Sequence, residues 1–308
     1  MSSNTSIEWT DFTFNPWWGC SRVSPGCANC YAATLGHRFG VEWGPSATRR
    51  PASEKTWADP VRWNNAAKKA GKRAKVFCAS MADVFDDNAP EYALSRLFDL
   101  MRNTPWLDWQ VLTKRPENIK KNLPGDWGKG GYRNVWLGVS VENQDMADKR
   151  IPILLGIPAA VRFLSCEPLL GPVDIRPYLF LDGGVRKCWE CGYFTNRTTE
   201  IECPNRCGAM KDDRSIDWVI VGGESGSAAR PMHPDWARSL RDQCQNAGVP
   251  FLFKQWGEFL HNGEPPEWAS QTFNRVGKKA AGRILDGIGW NQFPPSPLLR
   301  ITKEPSNG

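Results

Sequence analysis

Nothing in this sequence is built for a membrane or for export. It has no run of about eighteen apolar residues to span a bilayer, and its mean hydropathy is low at −0.49. The opening residues MSSNTSIEWTDF lack the basic-then-apolar pattern of a secretory signal. A soluble cytoplasmic protein is therefore expected. In a reducing compartment ten cysteines do not form a disulfide framework, and clustered cysteines are more often metal ligands. A strong charge of one sign is missing as well. The net charge of +6 permits a polyanionic partner without requiring one. The 308 residues can bury a full-sized core, which favours one large domain with an insert.

Short β-rich runs alternate with helical segments from residue 75 onward: KVFCAS, WQVLTK, NVWLGVSV, VRFLSC, DWVIVGG and PFLFKQWG. Helices are expected over PEYALSRLFDLMRN from Pro90, NQDMADKRIPILL from Asn143 and PDWARSLRDQCQNAG from Pro234, the last stopping at Gly248. With an early strand around Phe12–Trp18, the alternation predicts an α/β fold, a full or partial (β/α) barrel of six to seven units. A doubly wound open sheet fits the same pattern. Each run ends in residues with chemical capacity, among them Ser80, Asp83, Lys114, Ser140, Glu142, Glu167 and Lys254. In a parallel barrel such endings share one site, although Asp and Asn there also cap the next helix.

Seven of the ten cysteines cluster. Cys20, Cys27 and Cys30 stand in C-x6-C-x2-C spacing, and Ser24-Pro25-Gly26 between them supplies a turn. Three thiolates in one loop can hold three irons of a [4Fe–4S] cluster and leave the fourth open. A zinc site completed by His37 is the alternative. Cys188, Cys191, Cys203 and Cys207 read C-x2-C-x11-C-x3-C. Two close pairs fit a zinc ribbon, with an auxiliary iron–sulfur cluster as the alternative.

The segments NPWWGCSRVSPGCANCYA, CASMADVFDD, VLTKRPEN, LGVSVENQ, FLSCEPLLGPVDI, VIVGGESG and FLFKQWGE together resemble the radical S-adenosylmethionine superfamily. Within it the likeness is to relatives of spore photoproduct lyase, and most nearly to phage-associated three-cysteine-motif proteins. The resemblance implies an enzyme whose [4Fe–4S] cluster on Cys20, Cys27 and Cys30 cleaves S-adenosylmethionine to a 5′-deoxyadenosyl radical. It implies cofactor contacts from Ser80, Met81 and Asp83, with Ser140 and Glu142 at the ribose or carboxylate. From their strand-end position Lys114 and Arg115 are expected to face an anionic ligand group, and the stretch with Gly222, Gly223 and Glu224 permits close approach to a ligand, or simply a tight strand–helix turn. Cys166 would return a hydrogen, as a cysteine does in spore photoproduct lyase, or else pack as a small buried hydrophobe. Two features depart from the usual pattern: the first gap is six rather than three, and Asn29 replaces the aromatic before the last cysteine.

The expected domains are a barrel over 1–182 and 215–257, a ribbon-like insert over 183–214 and a wrapping tail over 258–308. Basic residues at Arg49, Arg50, Lys68–Lys75, Lys120 and Lys121, interleaved with Trp57, Trp63, Trp106, Trp109 and Trp127, read as a nucleic-acid track or as solvated surface. The leading expectation is a radical enzyme that repairs or modifies a base of DNA or RNA. A peptide or small metabolite is the alternative substrate, and a zinc-stapled nucleic-acid-binding protein the non-catalytic alternative. Expected partners are S-adenosylmethionine, an electron donor such as flavodoxin or ferredoxin, and a genome-neighbour protein.

Overall fold

The structure is a computed structural model that describes residues 5, 7–179, 186–188, 194–195, 210–212, 215–261 and 273–295. Its centre is a curled seven-stranded sheet. We label the strands β1 (Phe12–Thr13), β2 (Ala74–Cys78), β3 (Leu107–Thr113), β4 (Val135–Ser140), β5 (Val161–Cys166), β6 (Trp218–Gly222) and β7 (Phe251–Gln255). They lie side by side in chain order, and every neighbouring pair is parallel. This consecutive order gives a partial β/α barrel and removes the doubly wound alternative, in which the strand order reverses.

Helices α1 (Tyr31–Arg38), α2 (Glu54–Ala70), α3 (Glu91–Arg102), α4 (Gln144–Leu155) and α5 (Pro234–Ala247) cross between the strands. The Asn143 side chain accepts from Met146 N to start α4, and Gly248 ends α5 in the left-handed conformation at φ 65°. The sequence pattern does not single out α2. Its buried stripe is Trp57, Pro60, Trp63, Asn64 and Ala67, and proline and asparagine blur the apolar period. The early strand is split, with Trp17–Trp18 pairing instead with Arg50–Pro51.

Alternation along the strands sorts two cores. Val76, Val111, Leu137, Leu164, Val219 and Phe253 point to the helices. Phe77, Trp136, Val161, Phe163, Trp218, Ile220 and Leu252 point into the curl, where Trp9 packs among them. A Cβ on Gly138 would lie 2.4 Å from the Phe163 ring, so that strand position has room only for glycine. Phe293 packs against Trp218 with tilted rings, centroids 5.1 Å apart. The interior is thus filled toward the strands' N-terminal edge and open only at the other.

Three short strands, Arg186–Cys188, Phe194–Thr195 and Met210–Asp212, form a separate antiparallel sheet. Of the expected metal ligands in this insert, Cys188 ends the first of these strands, and Cys191, Cys203 and Cys207 lie outside the described residues. Among the described residues no helix is long and apolar enough to cross a membrane.

Candidate functional site

A cavity of about 530 Å³ opens at the C-terminal edge of the sheet. The residues between β1 and α1 carry Cys20, Cys27 and Cys30, and all three line this cavity. So do the strand-end residues Ser80, Met81, Asp83, Lys114, Ser140, Gly223 and Glu224. The six described free cysteines divide sharply. Cys20, Cys27 and Cys30 are half-buried, whereas Cys78, Cys166 and Cys244 are buried.

The cysteine loop is held by charged groups from three strand ends. The Asp83 carboxylate accepts from Thr113 Oγ1 at 2.6 Å, from Lys114 N at 3.0 Å and from Phe85 N at 3.0 Å. It also pairs with buried Arg115, whose Nη1 reaches Asp83 Oδ2 at 3.2 Å and the Cys20 sulfur at 3.6 Å. Arg115 Nη2 binds Ser21 O and Oγ. Burial pushes the Cys20 thiol up to about 12; Asp83 adds to this and Arg115 opposes it. Arg115 is thus the one cation placed to favour a thiolate at this position.

Glu142, fully buried, accepts from Ser24 Oγ at 2.6 Å and from Arg150 Nη1 at 2.7 Å. A Cβ on Gly26 would collide with the Glu142 side chain at 2.5 Å, which makes glycine the fitting residue there. Glu224 pairs with Arg230 at 2.6 Å and accepts from Asn29 at 3.1 Å, while Arg230 Nη2 binds Pro25 O at 3.0 Å. Burial would raise the Glu224 carboxyl, but the hydrogen bonds from Arg230 and Asn29 hold it below its usual range. The long gap between Cys20 and Cys27 therefore has a physical use. Its extra residues are the ones that Glu142 and Arg230 grip, and Asn29 binds Glu224 where an aromatic could not.

Several expectations about position need correction. Glu142 holds the loop instead of facing the cavity. Gly223 is explained by backbone crowding, since a Cβ there would sit 2.0 Å from Trp256 O. Gly222, also absent from the cavity lining, abuts Glu167, which a Cβ would meet at 3.3 Å. Cys166 does not point to the mouth. Alternation turns it to the helix layer, fully buried, where its thiol is pushed up by burial. His37 is exposed and does not line the cavity with the cysteines. Among the described residues, no three Cys, His, Asp or Glu side chains are gathered closely enough to hold a single metal ion.

The residues expected to form a nucleic-acid track do not lie on one surface. Trp57, Trp63, Trp109 and Trp127 are buried, Trp106 is half-buried, and Arg50, Lys120 and Lys121 are exposed. Lys68–Lys75 joins the end of α2 to the start of β2, at the sheet edge opposite the cavity. Within it Arg73 pairs with buried Asp108 at 2.8 Å, and Arg49 pairs with buried Asp86 at 2.9 Å.

Sequence reasoning missed the grip of Ser24, Asn29 and Arg230 on the cysteine loop and the pairing of Lys254 with Glu167 at 2.7 Å in the cavity wall. Arg115 was expected at a strand end facing an anionic ligand group, but its partners, Asp83 and the Cys20–Ser21 segment, were not. Comparison with curated proteins gave no match, and comparison with solved structures gave none. A family model described as a protein of unknown function matches residues 4–294, nearly the whole chain. By that match the chain belongs to the DUF5131 family.

Proposed function

We propose that the chain is a radical S-adenosylmethionine enzyme whose Cys20, Cys27 and Cys30 hold a [4Fe–4S] cluster at the mouth of the partial barrel. One observation carries this reading: the three half-buried cysteines, and none of the buried ones, line the cavity at the strands' C-terminal ends. The donor set fits the group. Thiolates are the ligands iron–sulfur clusters take, and a cube spreads its thiolates farther apart than a single ion does, in keeping with the loose grouping here. The chemistry supplied there is one-electron cleavage of the sulfonium bond of S-adenosylmethionine, followed by hydrogen abstraction from a substrate.

The chain's own residues prepare that site. Arg115 sets positive charge against Cys20. The contacts of Glu142 with Ser24, and of Glu224 with Asn29, fix the loop that carries the three thiols. The apolar interior below excludes water from the floor of the cavity. A nucleobase remains the proposed substrate class, supported by the aromatic side chains of Trp18, Tyr31 and Trp43 along the cavity.

Anaerobic reconstitution with iron and sulfide tests the proposal. We expect about four irons per chain beyond any metal held by Cys188–Cys207, and 5′-deoxyadenosine on reduction with S-adenosylmethionine. Full iron loading in a variant lacking Cys20, Cys27 and Cys30 would overturn it.

A further inference from the structure

The three loop sulfurs do not share one environment. Among the described residues the hydrogen bonds to them involve Cys20 and Cys27 only, and a cation reaches Cys20 alone. Arg115 Nη1 stands 3.6 Å from the Cys20 sulfur. The Cys27 sulfur lies 3.8 Å from Ser24 Oγ, but that hydroxyl donates its proton to Glu142 at 2.6 Å and has none to give a sulfur. Arg115 is held in place from behind. Its side chain is 2% exposed, and it pairs with Asp83 at 3.2 Å and with the exposed Asp87 at 3.5 Å. The neighbouring Asp86 is taken up by Arg49 at 2.9 Å.

Asp83 offsets much of the guanidinium charge, so Cys20 meets chiefly a fixed N–H dipole with its positive end toward the sulfur. That geometry suits a ligating sulfur better than a free thiol. The free Cys20 thiol donates its proton to Ser21 O at 3.4 Å. Ligation removes the proton, which turns the sulfur into an acceptor and costs Ser21 O a donor. Arg115 faces both groups, with Nη1 toward the sulfur and Nη2 donating to Ser21 O at 2.9 Å. Hydrogen bonds to ligating sulfurs help set the potential of an iron–sulfur cluster, because they stabilise the form with more negative charge.

We infer that Arg115 raises the reduction potential of the cluster proposed on Cys20, Cys27 and Cys30, acting through Cys20 alone. The inference rests on the proposed function and makes Arg115 a positioning residue, since it touches a ligand sulfur and no reacting atom. In the step it governs, one electron arrives from a low-potential one-electron donor, no proton moves and no bond breaks. The added negative charge is met by an N–H already in place, so no group has to reorient when the electron arrives.

Potentiometric titration of the anaerobically reconstituted full chain tests this, read by the paramagnetic resonance of the reduced cluster and run without S-adenosylmethionine. Arg115→Gln should make reduction about tenfold less favourable, as loss of one charge-assisted hydrogen bond provides. That is a midpoint lower by about 59 mV for one electron. Arg115→Lys keeps a charge but cannot face both Ser21 and the sulfur, so its midpoint should fall between the two. Lys114→Gln should shift the midpoint less, because Lys114 Nζ meets the Ser140 hydroxyl at 3.1 Å and no sulfur. An unchanged midpoint in Arg115→Gln at wild-type iron content would overturn the inference. So would an Arg115→Lys midpoint no higher than that of Arg115→Gln, or an equal shift from Lys114→Gln. If Arg115→Gln takes up no iron, Arg115→Lys decides, and a wild-type midpoint there refutes the role. A wild-type chain that takes up no cluster would defeat the proposed function and this inference with it, a result distinct from any midpoint.

Discussion

Replacing Glu142 tests how the cysteine loop is held. The carboxylate and the Arg150 guanidinium are 0% and 2% exposed as side chains and 2.7 Å apart. Removing one partner leaves the other charge buried without compensation, which costs about 3–5 kcal/mol. Glu142→Ala also strands the Ser24 hydroxyl, donated to Glu142 at 2.6 Å. For a chain of this size the loss corresponds to a melting temperature lower by about 5–8 °C. The double replacement Glu142→Met with Arg150→Met removes both charges. It should recover all but about 1–2 kcal/mol, the share owed to the abandoned Ser24 hydroxyl and Ser140 carbonyl. Thermal melting of Glu142→Met, Arg150→Met and the double variant beside the wild type gives the cycle. A second readout follows the loop itself: Cys27 should react faster with a thiol reagent in Glu142→Ala, while Cys78 in the core should not. A Glu142→Ala protein that melts within about 1 °C of the wild type would refute the argument that this ion pair anchors the loop.

Gly223→Ala should destabilise by about 3 kcal/mol or more, because the new methyl meets the Trp256 carbonyl at 2.0 Å and backbone cannot yield. Gly222→Ala meets only the Glu167 side chain at 3.3 Å and should cost less in the same denaturant titration; equal losses would contradict the crowding account. Gly138→Ala should cost about 1–3 kcal/mol, since the Phe163 ring must move to admit it. Under the proposed radical activity, Cys166→Ala should leave product formation unchanged, because the thiol faces the helix layer; loss of product with intact melting would give the thiol a part in that reaction. The Glu224–Arg230 contact contributes stability above the ordinary carboxylate value of 4.5 and loses it as pH falls through the lower folded value. The melting difference between wild type and Arg230→Gln should therefore narrow in acid, and a constant difference would show that the pair is not linked to pH.

Much of the architecture was legible because it rests on local repetition. VRFLSC and DWVIVGG alternate or run apolar as strands covered on both faces must, and Asn143 and Gly248 mark helix ends by capping chemistry that depends on few neighbours. The cysteine spacing named its loop for the same reason. Tertiary structure alone decided what the strand-end residues do. Asp83, Glu142 and Glu224 read alike in the sequence, as acidic residues after strands. Asp83 is tied to Arg115, Glu142 to Arg150 and Ser24, and Glu224 to Arg230 and Asn29. The partners Ser24 and Glu142 lie 118 residues apart, and no local pattern encodes such a pairing. The same limit explains the basic track. Lys68–Lys75 looked like a surface for a polyanion, but the sense of α2 and β2 carries it to the edge opposite the cavity, and packing turned Trp57, Trp63, Trp109 and Trp127 into core. Sequence determined which residues can ligate, cap or alternate; the curl of the sheet determined which of them face one another, because facing is set by strand register and burial, not by distance along the chain.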